Sequence, residues 1–209
     1  MTGVHGLSPA ETTALTRRVT LMSVATAATL VSIKLAAWIA SGSTALLASM
    51  ADSGLDLVAS LATFWAVRYA AVPPDAEHRF GHGKAEAFAS LVQAGLVFAS
   101  AALIAREAYA DLITPHPIRQ EGWAVAVMAV STVLTGLLIT AQGRVLRQTR
   151  SVAVSGDRAH YAMDLASNII ALLGIAASAG VGVNGLDAAA AIVVAALLLW
   201  GAVGVFREA

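Results

Sequence analysis

Long apolar runs, broken by short polar or glycine- and proline-bearing connections, dominate this chain. Six of them reach the roughly 20 residues that a helix needs to cross a bilayer core. They fall at about Val19–Ser41, Ser43–Tyr69, Ala85–Leu112, Gly122–Gln142, Val152–Gly180 and Leu186–Phe206. Gly42, the Pro73–Pro74 pair, the Thr114–Gln120 segment with its two prolines and the Gly180–Gly185 run separate them, as helix breakers do. The pattern predicts an all-α membrane protein, a six-transmembrane-helix bundle over residues 19–206. A short cytoplasmic arm (residues 1–18) is expected before it and a brief tail (207–209), with no C-terminal domain, after it. The arm lacks the basic, apolar and small-residue order of a cleaved signal peptide.

Composition strengthens this reading. Only 12% of the 209 residues are charged and the mean hydropathy is +0.75, against about 25% charged in a typical soluble domain. A surface so poor in charge suits lipid. Zero formal net charge removes the electrostatic case for a nucleic-acid partner. The absence of cysteine excludes disulfides and thiolate metal sites.

Charge placement sets the expected orientation, because Lys and Arg concentrate in cytoplasmic connections. With the N-terminus inside, Arg17, Arg18, Arg68, Arg79, Lys84, Arg144, Arg147, Arg150, Arg158 and Arg207 are cytoplasmic, and only Arg106 and Arg119 are outside. Both termini are therefore expected in the cytoplasm, with the chain a multi-pass protein of a bacterial inner (plasma) membrane.

A few ionisable residues interrupt the spans themselves. Each costs roughly 2.5–3.5 kcal/mol at the bilayer centre on insertion scales, which calls for a partner and a function. In span 2, Asp52 and Asp56 are four residues apart; in span 5, His160 and Asp164 repeat the spacing. Residues four apart share one helix face. Two such faces can close a tetrahedral site of one imidazole and three carboxylates, a donor set suited to Zn²⁺ and to Co²⁺, Cd²⁺, Fe²⁺ or Mn²⁺. Ca²⁺ would want more oxygens and no imidazole. Asn168, on the same face, is a candidate for orienting a ligand. Lys34 is the alternative partner, but one ammonium cannot neutralise three acids. Three carboxylates crowded in a low dielectric cannot all stay ionised when empty. Metal entry must then displace protons, and His160 is the group suited to titrate near neutral pH.

The connection between spans 2 and 3 offers a second constellation, Asp75, His78 and His82. It reads either as a cytoplasmic metal site or as a solvated loop with interfacial histidines. Its Gly81-His82-Gly83-Lys84 run lacks the flanking residues of a phosphate loop. Other functions fit less well. A channel would repeat charged rings along a pore, and a metalloenzyme would need a His-Glu-x-x-His helix or an activated nucleophile, neither present. A transport-inactive scaffold would keep costly buried acids without use.

Taken together, Asp52-Ser53-Gly54-Leu55-Asp56, Phe80-Gly81-His82-Gly83-Lys84-Ala85-Glu86 and Asp157-Arg158-Ala159-His160-Tyr161-Ala162-Met163-Asp164 resemble the cation diffusion facilitator family of divalent metal/proton antiporters. The resemblance runs from about Arg17 to Phe206. It implies efflux of a divalent cation, most characteristically Zn²⁺, driven by inward proton flow, with the metal as substrate and no cofactor. It assigns the transport site to Asp52, Asp56, His160 and Asp164, and a second site to Asp75, His78 and His82. A His at position 160 marks zinc-transporting branches, and an Asp there marks manganese branches. Lys84 and Asp187 resemble positions of family charge contacts. Family members usually continue into a cytoplasmic domain that dimerises and regulates, whereas this chain stops at Ala209. A homodimer is therefore expected through membrane helices, on the span-3 face from Ala89 to Leu103. The partners expected are divalent metal ions, protons, membrane lipid and a second copy.

Overall fold

A computed structural model describes residues 7–41, 44–113 and 122–181, together with Ile192, Val193, Ala196 and Trp200. Five long helices carry these residues: α1 (Pro9–Ser41), α2 (Thr44–Ala70), α3 (Lys84–Ile113), α4 (Gly122–Thr149) and α5 (Val152–Val181). They coincide with the first five apolar runs. The expected sixth span, Leu186–Phe206, lies almost wholly outside the described residues, its four described positions being helical. Asp187 also lies outside them. No strand occurs among the described residues. Two helical stretches, Pro9–Ala40 and Val125–Thr149, are long and apolar enough to cross a membrane by length and composition alone.

The first helix starts ten residues before the apolar run does, inside the expected cytoplasmic arm. The cause is local. Ser8 Oγ accepts from the Glu11 N–H (3.3 Å), while the Glu11 carboxylate accepts from the Ser8 N–H (2.8 Å) and hydroxyl (2.7 Å). This reciprocal cap satisfies two orphan donors, and Pro9 in the first turn loses no hydrogen bond. Between α4 and α5, the helix stops at Arg150, whose φ of +54° turns the backbone out of the helix as a left-handed residue does. Ser151 then opens α5, its hydroxyl accepting from the Val154 N–H (3.4 Å).

Helix α1 packs most extensively on α2 and also on α4, while α5 packs on α3 and α4 and touches α2. The α3–α5 crossing is close because Gly156 faces Ser90: a Cβ at 156 would stand 2.7 Å from Ser90 Oγ. Beside a small apolar core (Val19, Leu30, Val67, Val97 and Leu138 among it), many polar residues are buried. Thr16, Thr20, Ser23, Ser53, Ser60, Thr63, Ser90, Gln93, Thr135 and Gln142 are buried, while Leu21, Ile39, Val58, Trp65, Phe88 and Leu137 are exposed. Polar side chains hydrogen-bonding inside and large apolar ones facing out suit a helix bundle in lipid.

The same pattern divides the span-3 face expected to hold a dimer. Ala89, Ala94, Val97 and Ala101 are buried within the protomer, so the face left open on α3 is Phe88, Leu91, Val92 and Phe98.

Candidate metal centre

Helices α2 and α5 meet about midway along their lengths, where each carries acids. Asp56 and His160 are both buried, and His160 Nε2 lies 2.9 Å from Asp56 Oδ1. One turn further on, Asp164 Oδ2 is 3.5 Å from the same nitrogen. One donor atom from each of the three lies within 4.8 Å of the others. Asp164 Oδ2 and His160 Nδ1 are buried yet have no hydrogen-bond partner. Buried polar atoms are seldom left so, and an oxygen beside an imidazole nitrogen is where a cation would complete the set.

Asp52 does not join this group. It lies one turn before Asp56 and is exposed, outside the cluster of three. The four-residue spacing predicts a shared face, which it has; depth along the helix decides which acid meets α5. Lys34 reaches across from α1 but binds α2 rather than the acids. Its ammonium donates to Ser53 Oγ (2.6 Å) and to the Ser49 carbonyl (3.2 Å). Asn168, partly buried, makes no hydrogen bond to the cluster among the described residues.

The α2–α3 loop brings its three candidates together as well. Asp75, His78 and His82 each offer a donor atom within 4.8 Å of the others. Asp75 Oδ1 accepts from the backbone N–H groups of Glu77 (3.0 Å) and His78 (2.6 Å), an Asx turn of the kind short acidic side chains make. The His78 N–H holds the exposed Asp75 carboxyl below the usual carboxylate range, with further help from Glu77 and both imidazoles. His82 is buried, its Nδ1 3.3 Å from the Val72 carbonyl. Its Nε2 faces Asp75 Oδ2 at 3.5 Å. Gly81, at φ +79°, lets the chain double back here, a conformation that costs glycine little. Lys84 opens α3 beside this loop and is exposed.

Sequence reasoning missed a third polar centre. Asp157, three residues before His160, is fully buried and held by the amides of Gln93 and Gln142. Its spacing from His160 put it on the ligand face of α5, but it lay near a span end, where a charge reads as interfacial.

Comparison with known proteins gives the family of the chain. Residues 20–209 match the family model of the cation efflux transmembrane domain. Over 156 residues the chain is 45% identical to the cation-efflux pump FieF of Shewanella oneidensis, covering 75% of this chain and 53% of that protein. It is 38% identical over 195 residues to the FieF pump of Serratia proteamaculans, covering 93% of this chain and 65% of that protein. The FieF pump of Yersinia enterocolitica is 36% identical over the same length. The chain thus spans between 53% and 65% of the length of these curated relatives.

Proposed function

We propose that this chain, which belongs to the cation-efflux (cation diffusion facilitator) family, carries a divalent transition-metal cation out of the cytoplasm in exchange for protons. The observation that carries the reading is the meeting of buried Asp56 and His160 with partly buried Asp164 between two helices. Buried carboxylates and an imidazole with unpaired atoms are poor glue and good ligands. Relatives named cation-efflux pumps add support.

In this reading Asp56, His160 and Asp164 hold the metal, and Asp52 swings in from one turn away as the fourth ligand. The site releases protons on metal entry because its ligands must be deprotonated to bind. Proton return from the other side then expels the metal. The donor set of one nitrogen and three oxygens favours Zn²⁺, with Fe²⁺, Co²⁺, Cd²⁺ and Mn²⁺ as competitors. The arginine-rich helix ends face the cytoplasm. Asp75, His78 and His82 form a second, cytoplasmic metal site, and two copies associate through membrane helices along the open α3 face.

Calorimetric titration of the purified chain with Zn²⁺, Fe²⁺, Co²⁺, Cd²⁺ and Mn²⁺ tests the site. The reading expects tightest binding for Zn²⁺, with His160→Asp moving preference toward Mn²⁺. Equal binding by wild type and Asp164→Ala would sink the ligand set.

A further inference from the structure

Side chains from five helices join in a hydrogen-bonded hub around Asp157. Oδ1 accepts from Gln93 Nε2 of α3 at 3.0 Å, and Oδ2 from Gln142 Nε2 of α4 at 2.8 Å. The same amides reach two more helices: Gln142 donates to Ser23 Oγ of α1 (3.1 Å) and Gln93 to Thr63 Oγ1 of α2 (2.9 Å). Asp157, Gln93, Gln142, Ser23 and Thr63 are all buried.

The position of this hub along the bundle is informative. On α5 it precedes His160, and on α2 it follows Asp56, so it lies on the arginine-rich side of the metal cluster. Between the two stand Tyr161 Oη and Ser60 Oγ, 2.8 Å apart and buried. Beyond the hub a cavity of about 370 Å³, lined by residues including Thr12, Thr16, Glu86 and Ser151, opens at the arginine-rich end. Buried Thr16 and Thr20 continue the polar line along α1 from that cavity toward Ser23. At the opposite end the cluster is less covered: the Asp164 side chain is 27% exposed, and Asp52 is exposed. A polar seam therefore runs from the cavity to the metal ligands, and at the hub side chains from five helices close across it.

A purely structural lock would satisfy its own atoms. This one does not: Gln93 Oε1 and Gln142 Oε1 are both buried without a hydrogen-bond partner. Native cores seldom leave such groups orphaned, and water or a passing hydrated ion would supply what they lack. A seal made of hydrogen-bonded polar groups also opens readily, because water replaces each bond at small net cost. An apolar seal has no such exchange.

We propose that the Asp157–Gln93–Gln142 hub is the closed gate of the transport path on the arginine-rich side, with Asp157 a positioning residue and not a metal ligand. The proposal rests on the transport reading above. Opening the gate means parting α3 and α4 from α5, which would join the cavity to the metal cluster through groups that can all bind water.

The chain contains no cysteine, so a single Ser60→Cys reports access to the site side of the hub. The substituted chain is reconstituted in vesicles and treated with a charged, membrane-impermeant maleimide from either face. With the hub intact, labelling from the arginine-rich face is slow. Asp157→Asn and Gln142→Leu should each accelerate labelling from that face by about tenfold, by shifting the gate's population. Labelling from the opposite face should not change. Unchanged rates, or equal acceleration from both faces, would overturn the gate, the latter showing general loosening. Should Asp157→Asn fail to insert, Gln142→Leu carries the test. Zn²⁺ titration of the same proteins separates the two ideas. Zn²⁺ binding with ungated labelling sinks the gate alone, while gated labelling without Zn²⁺ binding sinks the transport reading.

Discussion

Asp52 and Asp56 share a helix face and a charge but not an environment. Asp56 is buried against His160 at 2.9 Å, whereas Asp52 is exposed one turn away. Their substitutions should differ accordingly. Asp56→Asn removes a seated ligand and should weaken Zn²⁺ binding by more than about 100-fold. Asp52→Asn removes one that must first reorganise, and should stay within the roughly 10–100-fold typical of groups around a metal. Competition titration with a Zn²⁺ indicator reads both, and equal losses would show that Asp52 is as preformed as Asp56. At the loop, Asp75 binds its proton less readily than an ordinary carboxyl because the His78 N–H favours the charged form. Its contribution to the loop is therefore present above the unfolded value of about 3.9, and is lost as pH falls through the lower folded one. The His78 amide should keep its protection from hydrogen exchange down to about pH 4, and Asp75→Asn should weaken it at every pH. The acids of the candidate metal centre stood out in the sequence because charge is costly in lipid and spacing fixes a helix face. Asp52's place apart was not, since spacing says nothing of how deep a helix sits against its neighbour. Gln93 and Gln142 were illegible for another reason: a lone amide in an apolar span has the look of packing glue.

Between helices, the α3–α5 crossing depends on one missing side chain. Gly156→Ala would put its Cβ 2.7 Å from Ser90 Oγ and 3.2 Å from Ser90 Cα. The backbone atom cannot yield by rotating, so the helices must part. Overpacking of this kind costs about 1–3 kcal/mol, and the variant should melt earlier in detergent. Adding Ser90→Gly should recover much of the loss, whereas an unchanged melting curve for Gly156→Ala would mean the crossing is looser than described. Because the crossing lies one residue from Asp157, the same variant should also disturb the hub. The helices themselves were plain from the apolar runs, since length in lipid leaves few alternatives. The start of α1 was not, because its Ser8–Glu11 cap lies in polar sequence that hydropathy passes over.

At the scale of the whole chain, a bundle with many buried polar groups holds a candidate site less covered at one end than at the other. In the proposed cycle the four ligands, Asp52 included, cannot hold metal and protons together, so exchange follows. The most direct test follows both ions at once. Vesicles containing the reconstituted chain, with an acidic lumen and Zn²⁺ outside, are monitored with a metal indicator and a pH dye. The account predicts Zn²⁺ entry that depends on the pH gradient, matching alkalinisation of the lumen, and neither signal in Asp164→Ala. Zn²⁺ entry that is indifferent to the gradient and moves no protons would contradict it.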